Sequence, residues 1–103
     1  MKREEALALA KKYKEALRQA GIPVLALIVF GSAARDEMRE QSDIDIAVIG
    51  TSFKGDRLAE MRDIRTLRRP LGYKIQPIWF YQEHMDDKYS TLAQEIKKDG
   101  ILI

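Results

Sequence analysis

Val24-Leu25-Ala26-Leu27-Ile28-Val29-Phe30-Gly31-Ser32, followed after ten residues by Asp43-Ile44-Asp45-Ile46-Ala47-Val48-Ile49, is the stretch on which the fold turns. The first run is apolar without a break and rich in strand formers, the pattern of a central strand covered on both faces. Glycine frees the backbone and serine suits a helix N-terminus, so Gly31 to Arg35 reads as a tight turn opening a short helix. A polar loop from Asp36 to Ser42 leads into a second strand, Asp43 to Ile49. Its period of two sends Ile44, Ile46 and Val48 to one face and Asp43, Asp45, Ala47 and Ile49 to the other.

Upstream, Ala6, Leu9, Ala10, Tyr13, Ala16, Leu17 and Ala20 recur at three- and four-residue intervals and predict one buried helical face from Arg3 to Ala20. Gly21 and Pro23 end that helix. Downstream, Gly50 to Gly55 is a loop, and Leu58, Met61, Ile64, Leu67 and Leu71 mark the stripe of a helix from about Asp56 to Arg69. Tyr73 to Phe80 reads as a third strand, with Pro77 arguing for an edge or a bulge. Ser90 or Thr91 caps a last helix through Lys98, and Ile101 to Ile103 forms a short final strand. The chain is therefore expected to be α/β of the α+β type, one domain over residues 1–103. A small mixed sheet of three to four strands carries helices packed chiefly on one face.

Composition narrows the classes. At 103 residues the chain has room for one core and for no second substrate domain. Its 46% hydrophobic and 33% charged residues fit neither disorder nor a membrane protein. The apolar run from Ile22 to Phe30 is far shorter than the ~20 residues a spanning helix needs. Met1-Lys2-Arg3 runs into Glu4-Glu5 rather than into an apolar signal segment, so the cytoplasm is the expected compartment. Without cysteine there is no disulfide, thiolate metal site or thiol nucleophile. A net charge of +2 argues against a nucleic-acid surface by bulk charge and leaves only a local basic patch open.

The chemistry lies in the spacing. Two aspartates two apart on a strand project from one face, so Asp43 and Asp45 can converge on a hard divalent cation such as Mg²⁺. A metal there ligates triphosphate oxygens, while the turn at Gly31-Ser32 offers backbone N–H groups and a hydroxyl to the phosphates. Arg35 adds a charge-assisted contact. The bland alternative makes Ser32 a helix cap and the aspartates solvated strand-start residues. The whole spacing arises by chance in roughly one such chain in a thousand, which favours the site.

Gly31-Ser32, ten intervening residues and Asp43-Ile44-Asp45 resemble the signature of the minimal nucleotidyltransferases of the DNA polymerase β superfamily. The likeness extends to the preceding apolar strand, Ala33-Ala34-Arg35, Ser42, and the tail from Ala93-Gln94-Glu95-Ile96 to Gly100-Ile101. It implies a nucleotidyltransferase-like fold and one or two Mg²⁺ ions on Asp43 and Asp45. It also implies a triphosphate, ATP by expectation, held at Gly31, Ser32 and Arg35, and transfer of AMP to a hydroxyl. In that family a third carboxylate projects from the next strand, and the aligned residue here is Gln76. An amide carries no charge and cannot take a proton. The resemblance thus carries two readings, a transferase and a catalytically weakened nucleotide- or partner-binding protein. Single-domain members resemble the antitoxin half of toxin–antitoxin pairs, which implies a helical HEPN-type protein as partner and acceptor.

Three further features are read conservatively. Arg62, Arg65 and Arg69 have helical spacing, but the interspersed Glu60 and Asp63 favour a solvated face over a nucleic-acid module. His84 is expected at the surface, and Trp79 and Tyr81 in the core or an interface. The apolar edge at Ile101 to Ile103 offers a surface for pairing between subunits in a homo-oligomer.

Overall fold

In the computed structural model, which describes residues 2–37, 42–50 and 57–103, the two strands of the deciding stretch pair antiparallel. β1 (Val24–Phe30) and β2 (Ile44–Gly50) place Phe30 opposite Asp45 and Leu27 opposite Val48. The register shifts between Val24 and Ala26, leaving Leu25 as a bulge residue, half-exposed at the far end of the strand from Asp45. Ile44, Ile46 and Val48 are fully buried on one side of the sheet, while Ala47 and Ile49 belong to a separate core on the other. The alternation expected of this strand is therefore realised, one residue later than its sequence bounds.

β3 (Ile75–Tyr81) lies parallel to β2, with Asp45 level with Gln76 and Gly50 level with Tyr81. A parallel pair needs a crossover, and α3 (Arg57–Thr66) provides it, followed by a 3₁₀ turn at Arg69–Leu71. β4 (Ile101–Leu102) pairs antiparallel with β1, giving the order β3-β2-β1-β4. Pro77 thus falls on an edge strand, where a missing N–H is tolerated.

α1 (Arg3–Gln19) packs Ala6, Ala10, Tyr13 and Leu17 against the Ile44/Ile46/Val48 face, together with Ile64 of α3, Ile75, Trp79 and Tyr81. α4 (Thr91–Asp99) covers part of the opposite face, where Ile96 packs with Phe30, Ala47 and Ile49. The Ser90 hydroxyl caps α4 by accepting from Ala93 N at 3.1 Å. The helix expected to run to Arg69 ends at Thr66; of its stripe, Met61 in α3 and Leu67 and Leu71 beyond it are partly buried around Ile64, and the Leu58 side chain lies outside the described residues. So do the Gly55 end of the expected loop and most of the polar loop before Ser42. Among the described residues no helix is long and apolar enough to cross a membrane.

Candidate active site

Three local features converge at one end of the sheet. α2 (Gly31–Ala34) starts directly from β1, with Gly31 at φ +70, a conformation that favours glycine. The short helix is closed by Asp36 in the left-handed region at φ 58 and by Glu37 N donating to Ser32 O at 2.9 Å. Because Phe30 is opposite Asp45, the Asp45 side chain rises beside this turn. A Cβ added to Gly31 would meet Asp45 Oδ2 at 2.5 Å. The turn backbone and the carboxylate occupy neighbouring positions only because residue 31 has no side chain.

On the other side of Asp45 stands Gln76, its register partner on β3. The Gln76 amide donates through Nε2 to Tyr73 O at 3.0 Å. Glu83, Asp86 and Asp87 follow the opposite end of β3, beyond the level of Gly50, roughly 17 Å of strand away from Gln76. Asp86 accepts a 2.8 Å hydrogen bond from Lys97 on α4, which holds its carboxyl below the usual range. Gln76 is thus the residue that β3 presents level with Asp45.

Asp45 is half-buried, and its pKa is raised, first by burial and then by the charges of Asp43 and Glu95, with Arg35 opposing. Asp43, expected as the first residue of the strand, lies exposed one residue ahead of β2. The sequence reading missed Glu95. It sits on α4, where Glu95 and Asp99, four apart, approach Arg35 Nη1 at 3.6 and 3.7 Å, while Arg35 Nε meets Glu37 at 3.2 Å. The expected phosphate ligand Arg35 is therefore held in a cage of three carboxylates. The i,i+4 spacing of Glu95 and Asp99 was visible as a shared helical face, but nothing local tied that face to Arg35.

The residues fit a divalent cation. Their donors are hard carboxylate oxygens plus a neutral amide oxygen, a set suited to Mg²⁺, and a cation would favour the charged form of Asp45 that burial, Asp43 and Glu95 disfavour. Gly31 keeps the neighbouring backbone close without filling the space a Cβ would take. Among the described residues no cluster of three or more His, Cys, Asp or Glu forms a metal set, so triphosphate oxygens and water would complete the coordination. His84 is exposed and stacks edge-on to Tyr81, 5.8 Å between ring centres, at the far end of β3. Trp79 and Tyr81 are buried, as expected of core residues.

Comparison with known proteins bears on the fold and the family. A crystal structure of a Sulfolobus solfataricus protein, provisionally named a nucleotidyltransferase, shares the fold. Its TM-score is 0.68 at 22% identity, over 97% of this chain and 80% of that one. No curated protein matches at a significant level. The profile described as "Nucleotidyltransferase domain" matches residues 10–100, a span that runs from α1 through the Gly31 turn, both aspartates and Gln76 to the end of α4. Domains of that kind generally use a nucleoside triphosphate and a divalent metal. With nearly its whole length matched, the chain belongs to the nucleotidyltransferase domain family.

Proposed function

We propose that this protein moves a nucleoside monophosphate, AMP by preference, from a triphosphate to a hydroxyl, with pyrophosphate leaving as the new phosphoester bond forms. The observation that carries the reading is the contact geometry of Gly31 and Asp45, with Asp43 just ahead of β2 and close enough for its charge to act on Asp45. Asp43 and Asp45 hold Mg²⁺, which when bound neutralises charge developing on the transferred phosphoryl group. The turn at Gly31 and Ser32 orients the triphosphate through backbone N–H groups and the serine hydroxyl. Arg35 reaches the phosphates by exchanging its carboxylate partners for them.

A second reading has its own observation. Gln76 occupies the position level with Asp45 and cannot accept the proton of an attacking hydroxyl. That proton leaves to solvent, so turnover is slow, and nucleotide or partner binding outlasts catalysis. The acceptor is a hydroxyl on a separate molecule, and the family resemblance favours a HEPN-type helical protein. Incubation with Mg²⁺ and α-labelled ATP, with and without such a partner, tests both readings when Gln76→Glu is run in parallel. Label transferred by wild type supports the enzyme. Label transferred only by Gln76→Glu supports the weakened binder. No Mg²⁺-dependent nucleotide binding by either protein, together with no binding of the partner, would end both.

A further inference from the structure

The charges of α3 interleave in sequence but separate in space. At about 100° per residue, Arg62 lies roughly 160° around the helix from Glu60, and Arg65 as far from Asp63. Glu60 accepts a 2.9 Å hydrogen bond from the Tyr81 hydroxyl, and it and Asp63 line a recess with Trp79 and the turn at Ala20 to Pro23. Arg62 and Arg65 face the other flank. There, with Arg68, Arg69 and Tyr73, they line an open cavity of about 420 Å³. Among the described residues no carboxylate pairs with Arg62, Arg65 or Arg69. A helix that reads as a solvated mixture of charges therefore presents a purely basic flank.

Two details select the ligand class. Arg68 is fixed, donating from Nη1 to Ile75 O at 2.8 Å, and its guanidinium lies 5.6 Å from the Tyr73 ring centre. Tyr73 is nevertheless 68% exposed, a flat aromatic surface at the rim of an arginine-lined hollow. Guanidinium forks suit phosphate oxygens, and an open ring backed by a cation suits a stacked base. An acidic peptide would use the arginines and leave the ring idle. Tyr73 also borders the candidate active site, since its carbonyl accepts from Gln76 beside Asp45.

We propose that the Arg62/Arg65/Arg69/Tyr73 cavity binds a single-stranded nucleic acid, with phosphates on the arginines and a base on Tyr73. The inference does not rest on the transfer reading, because binding here needs neither metal nor triphosphate.

The test is fluorescence anisotropy with a labelled single-stranded RNA of about twelve nucleotides, in EDTA, across a salt series starting near 50 mM. Wild type should bind with a log–log salt slope of about −2, from three arginine contacts at ~0.7 each. Arg62→Gln with Arg65→Gln should weaken binding at least tenfold and flatten the slope by about 1.4. Tyr73→Ala should cost between about fivefold and a hundredfold. Asp45→Asn should bind as wild type, which separates this site from the proposed transfer site. Thermal melts confirm that each variant is folded. Absence of saturable binding, or arginine variants that bind as wild type, overturns the proposal. So does a silent Tyr73→Ala combined with equal displacement by polyglutamate, which would mark an acidic-protein surface instead.

Discussion

Asp45 Oδ2 stands 2.5 Å from where a side chain on Gly31 would begin. The contact joins the end of β1 to the start of β2, because the antiparallel register sets Phe30 opposite Asp45. It couples the conformation of the turn to the position of the carboxylate, so neither can be altered alone.

Gly31→Ala should therefore fail in two ways, through backbone strain at φ +70 and through collision with the carboxylate. Gly21 separates them, since it has φ +76 but nothing within 4 Å of its absent Cβ. Gly21→Ala should cost about 1–2 kcal/mol for left-handed alanine, lowering Tm by roughly 4–8 °C per kcal/mol. Gly31→Ala should fall further in thermal melts and should lose Mg²⁺-dependent nucleotide binding as well. Equal melting losses with intact nucleotide binding would dissolve the coupling.

Asp45→Asn should raise Tm in metal-free buffer at neutral pH. The folded pKa of Asp45 is raised by burial, Asp43 and Glu95, so the native state takes up its proton more readily than the unfolded chain. Its stabilising protonated form is fully present below the unfolded value near 3.9 and is lost as pH rises through the higher folded pKa. The variant's advantage should shrink as pH falls through that window, and Mg²⁺ with ATP should stabilise wild type more than the variant. A variant that melts below wild type at neutral pH would show that the carboxylate is held by attractions the charges named here do not include.

The strands and the place of Asp45 in β2 could be read from the chain because they rest on local pattern: an unbroken apolar run, a period of two, a glycine and serine that open a short helix; Asp43 falls one residue ahead of the strand it was assigned to. Gln76 came from the family resemblance, which calls for a third carboxylate on the next strand, and the register sets that residue level with Asp45. Glu95, Asp99 and the basic flank of α3 were hidden for a shared reason. Each depends on which way a helix face points, and that is set by packing partners far away in sequence: Ile96 on Phe30 and Ala47, Ile64 against Tyr13. Alternating charges looked self-compensating in one dimension, and only rotation about the helix separated them.

Tyr13→Phe tests one of those orienting contacts. The Tyr13 hydroxyl, fully buried on α1, donates to Ile64 O at 2.6 Å, a carbonyl in the last turn of α3 that lacks an ordinary helical partner, since Arg68 N bonds Arg65 O. Burial raises the phenol's pKa, which keeps it a donor throughout the neutral range. Removing the hydroxyl leaves a buried acceptor unpaired, at a cost of about 1–3 kcal/mol in chemical or thermal unfolding. A neutral substitution would mean that packing alone orients α3.

Gln76→Glu should write a third carboxylate beside Asp45, whose pKa is already raised by burial and by the charges of Asp43 and Glu95. In metal-free buffer at neutral pH the added like charge should lower Tm, and Mg²⁺ should restore it, so the Mg²⁺-induced shift should be larger than in wild type. The same group can accept the hydroxyl proton that an amide cannot, and general-base catalysis contributes about 10²–10⁴-fold, so label transfer from α-labelled ATP should rise by at least tenfold. The two readouts need not move together. A larger Mg²⁺ shift with unchanged transfer would leave residue 76 as a metal ligand and place the rate limit in acceptor binding. Identical Mg²⁺ shifts in the two proteins would mean that residue 76, level with Asp45 in the sheet, shares no ion with it.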